Sequence, residues 1–380
     1  MNVLFLTDGI TPFIKGGMQR HSQLVIENLA KRGHSITAYH YIEAGTKINH
    51  VDAFSIEALK NIRLVQFEYR DNNKFPGHYI RAQRQMSERY LEELKSENVD
   101  FDFIYAKGFM SWALLKSRSR LGINTPVGVK FHGMNMFQKQ PDLKSFFSKY
   151  ILRPTTKEIL KKADYVFSYG GKITDIIASQ CSTPIIEVPT GIESEWLREI
   201  PTKNNAKRRF LFIGRFDRVK GLPELYKALV LLKAKRSDWE FHFIGPIPTG
   251  DQIEMEQTTY HGAIYNQNHL KELISENDIL VNCSISEGMP NVILEAMASG
   301  LAVIATDIGA SSVLVNHEKN GLLLKIAEPK LIVRSLLDSL QISDSELKNW
   351  KVESLIRVQS MTWDSVAPKL EEAIHRCIKG

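Results

Sequence analysis

The sequence is poor in cysteine and contains no long apolar run. Only three of its 380 residues are cysteine, and the positions of Cys181, Cys283 and Cys377 fit neither a metal site nor a redox pair. No apolar stretch reaches the roughly eighteen residues of a membrane span, and the first residues lack the pattern of a signal peptide. These absences predict a cytoplasmic protein whose cysteines carry no chemistry.

Three binding motifs are also missing or incomplete. The loop DGITPFIKGGMQRH, residues 8 to 21, lacks the G-x-G-x-x-G spacing of a dinucleotide site, so nicotinamide binding is weakly supported. Asp100 and Asp102 spell an Asp-x-Asp, but they open the predicted strand FDFIYAK, and we assign no metal to them. No recognised nucleic-acid motif or aromatic-interleaved basic stripe occurs. We therefore expect no cofactor, no metal and no nucleic-acid partner.

Charge is distributed unequally between the two halves of the chain. The net charge of +6 divides into +8 for residues 1 to 190, with 26 basic and 18 acidic residues, and −2 for residues 191 to 380, with 23 and 25. The basic half predicts an acidic partner. Anionic lipid or a phosphate-bearing acceptor suits that half better than nucleic acid.

Short β-rich runs alternate with helical patterns throughout, which predicts two α/β domains with parallel sheets covered by helices. The periodicity breaks around Pro201, where we place the linker. The expected organisation is an N-terminal domain over residues 1 to 192, a linker over 193 to 207, a C-terminal domain over 208 to 362 and a terminal helix over 363 to 380. The predicted strands are 2–6, 35–41, 62–69, 101–106, 127–131, 165–168, 185–188, 209–213, 240–244, 258–261, 279–283, 302–306 and 322–324.

The most informative stretch is SISEGMPNVILEAMASGLAVIATDIG, residues 284 to 309. It places Glu287 and Glu295 eight positions apart around a predicted helix start, with Pro290 suited to the first helical position. Glu287 then lies in a loop and Glu295 on the helix. Backbone N–H groups at the helix start hold an anion, and the carboxylates beside that space accept hydrogen bonds from hydroxyls. A nucleotide sugar combines those two features.

The spacing E-G-x-P-x-x-x-x-E-A-M-A-x-G in this stretch closely resembles the Glu-x7-Glu element of retaining glycosyltransferases of family 4. Other elements of that family recur in the expected order along nearly the whole chain. The resemblance implies the GT-B fold, in which two Rossmann-like domains face each other across a cleft. It also implies that the donor diphosphate lies at the helix start, with Glu295 on the ribose and Glu287 on the sugar. The terminal helix 363 to 380 resembles the GT-B helix that crosses back to the first domain.

Three further segments carry the resemblance. Arg215 and Lys220, in FIGRFDRVKG, match the family's G-R-x(4)-K-G segment, in which both residues neutralise the diphosphate. The Gly16-Gly17 pair resembles the family's loop over the diphosphate, and His132 stands at the position implied to bond the donor sugar. The implied catalytic residues are Glu287, Arg215, Lys220 and His132, and the implied donor-binding residues are Gly16, Gly17, Arg215, Lys220, Gly288, Met289, Pro290, Asn291 and Glu295.

The chain departs from the family pattern at two places. In VPTGIE, Thr190 replaces the usual Asn and Glu193 the usual Asp, so this segment is assigned only a turn and hinge role. Val313 stands where the family has a Glu. No contact of that Glu is carried over to this chain.

Residues 142 to 162 form a basic amphipathic segment, which Pro154 divides into two predicted helices. Its aromatic pair Phe146 and Phe147 lies among lysines and an arginine. An apolar stripe of this kind more often packs on the protein's own sheet, and an anionic membrane surface is the alternative. A second basic helix is predicted over residues 78 to 90. If both helices share a face, a membrane or a lipid-linked acceptor becomes the better interpretation.

These patterns together favour a retaining, metal-independent glycosyltransferase. It would move a hexose-type sugar from a nucleoside diphosphate, with uridine the commonest base, to a glycan or lipid-linked acceptor in bacterial surface polysaccharide or glycolipid assembly. The expected location is cytoplasmic, with a possible peripheral contact to the inner face of the membrane. Two alternatives stay open: a nucleotide-sugar epimerase on the same fold, and a nucleotide-sugar-binding protein without turnover.

Overall fold

The fold is built on two parallel sheets. The computed structural model describes residues 1–46, 49–69, 77–97, 99–199 and 206–380. The first sheet has the order β3-β2-β1-β4-β5-β6-β7 and the second the order β10-β9-β8-β11-β12-β13. The strands are β1 (Asn2–Leu6), β2 (Ser35–Glu43), β3 (Ile62–Tyr69), β4 (Phe103–Lys107), β5 (Val127–Lys130), β6 (Tyr165–Ser168), β7 (Ile185–Glu187), β8 (Arg208–Ile213), β9 (Trp239–Ile244), β10 (Thr258–Gly262), β11 (Ile279–Asn282), β12 (Ala302–Thr306) and β13 (Gly321–Leu324).

Apolar runs explain why these segments form central strands. The strand β12, AVIAT, is buried along its whole length, as is β4, FIYAK. A strand that helices cover on both faces needs no polar side. Each sheet accordingly carries two hydrophobic clusters. All thirteen predicted strands are present, with ends that differ by no more than a few residues.

Helices fill the connections between strands. In the first half they are α1 (Gly17–Lys31), α2 (Ile56–Leu59), α3 (His78–Ser96), α4 (Trp112–Leu121), α5 (Leu143–Tyr150), α6 (Arg153–Lys162) and α7 (Lys172–Ala178). In the second half they are α8 (Leu222–Lys233), α9 (Gln267–Ser275), α10 (Asn291–Ala298), α11 (Ser311–Leu314), α12 (Pro329–Gln341), α13 (Asp344–Gln359) and α14 (Trp363–Lys379). No described helix is both long and apolar enough to cross a membrane.

The chain passes between the two sheets twice, and the two passages lie side by side. Ile192 and Thr362 form an isolated parallel bridge, and the backbone N–H of Trp363 donates to the Ile192 carbonyl at 2.9 Å. From there α14 runs back over the first sheet, where its apolar face joins the cluster around Val25 and Phe5. Of the linker expected over 193 to 207, residues 200–205 lie outside the described part. Residues 194–196 form a short 3-10 turn.

Two local expectations need correction. Pro290 is not the first residue of α10 but the extended residue before it, with φ −76° and ψ 103°. The apolar stripe of residues 142–162 does not pack on the sheet around α5, since Phe147 is 68% exposed and Ile151, which follows the helix, is 56% exposed. The helix contacts the turn Asn135–Phe137. The break at Pro154 is as predicted, since α6 begins beside it.

Candidate functional site

The two glutamates of the 284 to 309 stretch lie on either side of the start of α10. Glu287 is in the loop between β11 and α10, and Glu295 is on the second turn of the helix. They border different cavities. Glu287 lines a cavity of about 270 Å³, and Glu295 lines one of about 30 Å³. The space that the sequence predicts as one site is therefore divided in this structure.

Lys220 and Glu287 form an ion pair. The Lys220 Nζ lies 2.5 Å from the Glu287 Oε1, and the Ser284 hydroxyl donates to the same oxygen at 2.9 Å. Lys220 ends a 3-10 turn whose following residue, Gly221, has φ 69°, and a Cβ at Gly221 would lie 1.9 Å from the Cys283 carbonyl oxygen. A glycine thus lets the basic loop pack on the end of β11, which brings the lysine to the glutamate.

The two domains touch through backbone next to this ion pair. A Cβ at Gly288 would lie 1.9 Å from the His132 carbonyl oxygen, so no other residue fits there without displacement. The Gln138 amide donates to the Glu287 carbonyl at 2.6 Å and accepts from the Glu287 N–H at 3.1 Å. These contacts fix the Glu287 loop against the first domain.

The large cavity, that of about 270 Å³, reaches both domains. Glu287 and Gly288 form its second-domain wall, and His132 lies on the first-domain side. The Tyr169 hydroxyl and the His132 Nδ1 are 2.8 Å apart. Burial lowers the pKa of His132 to about 3, and the nearby Lys107 and Lys130 act in the same direction. The imidazole is therefore neutral at physiological pH, which suits hydrogen bonding to a hydroxyl rather than donation of a full proton.

The small cavity, that of about 30 Å³, has room for no more than a water or two. Its lining includes Glu295, Asn291 and the ion pair between Arg20 and Glu193. Burial raises the pKa of Glu295 to about 7; Arg20 opposes this shift and Glu193 adds to it. A nucleotide enters here only if the domains separate or the Arg20–Glu193 pair opens.

The remaining predicted donor-binding residues lie in loops and at helix starts of both domains. Gly17 begins α1, and a Cβ on it would come within 3.9 Å of the Asn291 side-chain amide. The glycine loop of the first domain thus faces the helix start of the second. Met289 is buried and its sulfur accepts from the Thr190 N–H at 3.3 Å, so it serves packing. Arg215 is exposed in the loop after β8.

The structure assigns a hydrogen-bonding role to one half of the Asp-x-Asp sequence. An Asp102 carboxylate oxygen accepts from the Asn2 N–H at 2.7 Å, which ties the beginnings of β1 and β4 together. Among the described residues one group has the spacing of metal ligands: His34, Glu371 and His375. None of these three lines either cavity. Glu371 is already hydrogen-bonded to Arg32 and His34.

Sequence reasoning missed several residues of the large cavity. Asp8, Lys107 and Lys130 each end or follow an apolar strand of the first sheet, and all three line the cavity. A charged residue at the end of an apolar run, as in NVLFLTD and FIYAK, is a visible signal. Gln138 gave no such signal, because its partner is the backbone of a residue 149 positions away.

Comparison with known proteins places these features in a family. The family model described as "Glycosyltransferase Family 4" matches residues 15–196, and the one described as "Glycosyl transferases group 1" matches residues 207–341. The first match covers most of the first sheet and the second most of the second sheet, in chain order. The chain belongs to glycosyltransferase family 4.

The family 4 assignment agrees with individual relatives. The chain is 24% identical over 262 residues to the putative teichuronic acid biosynthesis glycosyltransferase TuaC of Bacillus subtilis (strain 168), with 66% of this chain and 64% of the relative covered. It spans between 37% and 65% of the length of three curated relatives.

Two solved structures match the family 4 chain over nearly its full length. One is a sucrose-phosphate synthase from Thermosynechococcus elongatus, with TM-score 0.76, 16% identity and coverage of 99% of this chain and 98% of the other. The second is the apo form of the lipopolysaccharide outer core galactosyltransferase WaaB, with TM-score 0.73, 17% identity and coverage of 99% of each chain. These matches confirm the predicted GT-B fold with two Rossmann-like domains.

Proposed function

We propose that this chain is a retaining glycosyltransferase that transfers a hexose-type sugar from a nucleoside diphosphate to a glycan or lipid-linked acceptor. The observation that carries the proposal is the Lys220–Glu287 ion pair at the wall of a cavity that reaches both domains of a family 4 chain. UDP is the first donor nucleotide to test. The similarity to TuaC, a putative teichuronic acid biosynthesis glycosyltransferase, and to WaaB, a lipopolysaccharide outer core galactosyltransferase, supports a place in bacterial surface polysaccharide or glycolipid assembly.

The donor is proposed to span the start of α10. Arg215, Lys220 and the N–H groups after Pro290 would hold the diphosphate, because cations and a helix N-terminus both favour anions. Glu295 would accept from the ribose hydroxyls and Glu287 from a sugar hydroxyl. Binding would then exchange the Lys220–Glu287 pair for a lysine–phosphate contact.

The proposed reaction proceeds on one face of the sugar. The bond between the anomeric carbon and the diphosphate oxygen breaks, and the departing diphosphate takes the proton of the acceptor hydroxyl. The acceptor oxygen forms the new bond on the face from which the diphosphate leaves. Lys220 and Arg215 would stabilise the negative charge that grows on the departing group, a role that needs no metal. The neutral His132 would orient the sugar without acting as a base.

The proposed location is the cytoplasm, with contact to the inner face of the membrane. The basic first half, with its net charge of +8, supports attraction to anionic lipid. The exposed apolar side chains of α5, among them Phe147 and Tyr150, support insertion at the interface. Arg153 stacks over the Tyr150 ring at 4.8 Å, so positive charge lies beside the apolar surface.

A panel of UDP, GDP and ADP sugars tests the proposal. Thermal shift and donor hydrolysis should select one nucleotide, because a ligand that binds the folded state raises its melting temperature. Product analysis without acceptor separates the epimerase alternative, which would yield a second nucleotide sugar. If a nucleotide sugar binds but is neither hydrolysed nor transferred to any acceptor, the alternative of a nucleotide-sugar-binding protein without turnover would be favoured. No binding of any nucleotide sugar would contradict the proposed function.

A further inference from the structure

The large cavity opens at the point where the strand order of the first sheet turns. Strands β1 and β4 are neighbours, yet the chain proceeds from β1 to one edge and from β4 to the other. In open parallel sheets ligands bind at the carboxyl ends of the strands beside such a point. Asp8 follows β1 and Lys107 ends β4, so the two charged residues lie on either side of it. Both line the cavity.

Lys107 is buried without a carboxylate partner at ion-pair distance. Its side chain belongs to a residue only 8% exposed, and its Nζ lies 2.7 Å from the His21 Nδ1. Within the described ranges, no carboxylate oxygen lies within 4.0 Å of this nitrogen. An ammonium group has three N–H donors, and His21 takes one. Because Lys107 lines the large cavity, its remaining N–H donors are available to a molecule that binds there.

The Asp8 carboxylate also has hydrogen-bonding capacity that the protein does not use. Its carboxylate accepts from the Gln19 amide at 3.1 Å and, weakly, from the Thr7 hydroxyl at 3.4 Å. Burial raises the pKa of Asp8, and Lys107 opposes that shift, so the two charges lie close without a direct hydrogen bond. A carboxylate offers about four acceptor positions. Acceptor capacity therefore faces the cavity beside the unused donors of Lys107.

Lys130 shows what a purely structural lysine looks like in the same place. It ends the next strand, β5, and is 2% exposed. Its Nζ donates to the Val188 carbonyl at 2.9 Å and lies 3.8 Å from the centre of the Tyr169 ring. Its contacts are protein contacts. The difference marks Asp8 and Lys107, rather than the whole basic cluster, as the groups available to a ligand.

The rest of the lining of the large cavity is amphipathic, and the volume of the cavity is modest. Tyr79 and Phe109, whose ring centres are 6.2 Å apart, contribute aromatic surface, and Leu152 and Met136 add aliphatic surface. A volume of about 270 Å³ falls near the lower limit of small-molecule pockets, which is roughly 300 Å³. The apolar C–H faces and edge hydroxyls of a sugar ring match the lining on the first-domain side, where this apolar surface lies beside Asp8 and Lys107.

We propose that Asp8 and Lys107 form the acceptor-recognition pair, holding two neighbouring hydroxyls of a neutral hexopyranoside ring. Asp8 accepts from one hydroxyl and Lys107 donates to the other. The hydroxyl that receives the sugar then faces the opposite wall, at Glu287 and Gly288. This inference rests on the proposed transferase function and gives the acceptor its chemical class. The pair acts by positioning the acceptor and takes no part in donor binding.

The test separates acceptor use from donor use. Asp8→Asn and Lys107→Met are compared with the full-length wild-type protein, using octyl glucoside, galactoside, mannoside and N-acetylglucosaminide as acceptor probes with the nucleotide sugar selected by the panel. Asp100→Asn is the matched control, because Asp100 is exposed and precedes β4, at the end of that strand opposite to Lys107. Donor hydrolysis by water and the donor-induced thermal shift report the donor site and the folding of each variant.

Asp8→Asn should raise the acceptor KM about 10-fold to 100-fold, as loss of a charged hydrogen-bond partner does, while donor hydrolysis stays within about twofold. Lys107→Met should act in the same direction, and Asp100→Asn should match wild type. An unchanged acceptor KM in Asp8→Asn, or a parallel fall in donor hydrolysis, would overturn the pair. Transfer to none of the four glycosides by wild type would overturn the acceptor class. A wild type that binds no nucleotide sugar would instead refute the proposed function itself.

Discussion

Lys220 and Glu287, which the sequence assigns to two different parts of the donor, form an ion pair with each other at 2.5 Å. The lysine is expected on the diphosphate and the glutamate on the sugar. In this structure each neutralises the other, so neither charge is left uncompensated. A bound diphosphate would offer Lys220 a stronger partner and free the Glu287 carboxylate for a hydroxyl.

The basic loop is the first target for mutation. Lys220→Ala or Arg215→Ala should lower turnover by about two to three orders of magnitude, because each removes a charge that is proposed to stabilise the departing diphosphate. Arg218→Ala is the matched control: Arg218 lies in the same turn but pairs with Glu224. Steady-state kinetics of the purified variants measure the effect. Wild-type turnover in both Lys220→Ala and Arg215→Ala would remove their assigned role.

Glu295 should make stability depend on pH. Its pKa is raised from 4.5 to about 7 in the folded protein, chiefly by burial. The folded state therefore prefers the protonated form, so the stabilisation is complete below about pH 4.5 and is lost as the pH rises through about 7. Urea unfolding at several pH values should show that Glu295→Gln loses less stability than wild type between pH 5 and 8. The exposed Glu372→Gln serves as control, and identical pH slopes in all three proteins would contradict the pKa shift.

Metal independence is a second test of the roles proposed for Arg215 and Lys220. If Arg215 and Lys220 supply the positive charge that a divalent cation supplies in other transferases, as proposed, EDTA should leave the rate essentially unchanged. The Asp102 carboxylate, already bonded to the Asn2 N–H, supports this expectation. A rate abolished by EDTA and restored by manganese or magnesium would contradict it. Asp100→Asn and Asp102→Asn would then be the variants to examine.

Membrane contact should depend on the exposed apolar side chains of α5 and of Ile151, the residue that follows it. Phe147→Ser and Ile151→Ser should weaken sedimentation with anionic vesicles, because each removes apolar surface at the interface. Ile356→Ser is a matched control, since Ile356 on α13 is exposed to the same 56% as Ile151. Raised salt should also weaken binding, because ions screen surface attraction. Equal binding to neutral and anionic vesicles would refute this contact and leave the transferase proposal intact.

The sequence was sufficient for the local features of the fold. Strands such as Ala302–Thr306 are apolar runs between polar or glycine boundaries, and such runs signal a buried parallel strand without knowledge of their neighbours. The helix start near Pro290 was also visible, although the proline lies one position earlier than expected. These signals depend on residues close together in the chain.

Contacts between distant segments could not be predicted. The Arg20–Glu193 pair and the Gln138–Glu287 bonds join residues 173 and 149 positions apart, and only the assembled domains bring them together. Asp8 and Lys107 lie near each other because the strand order places β1 beside β4, and the sequence does not show that order. The exposure of Phe147 likewise depends on where the folded chain places α5, which the local sequence does not specify.

Proton NMR of the first product tests the central claim most directly. In the proposed reaction the departing diphosphate, held by Lys220 and Arg215, takes the acceptor proton on its own face, so the new bond forms on that face. An α-linked donor should therefore give an α-linked product, with the small anomeric coupling of that configuration in gluco or galacto sugars. A β-anomeric coupling from the same donor would contradict the retaining assignment, whatever the mutants show.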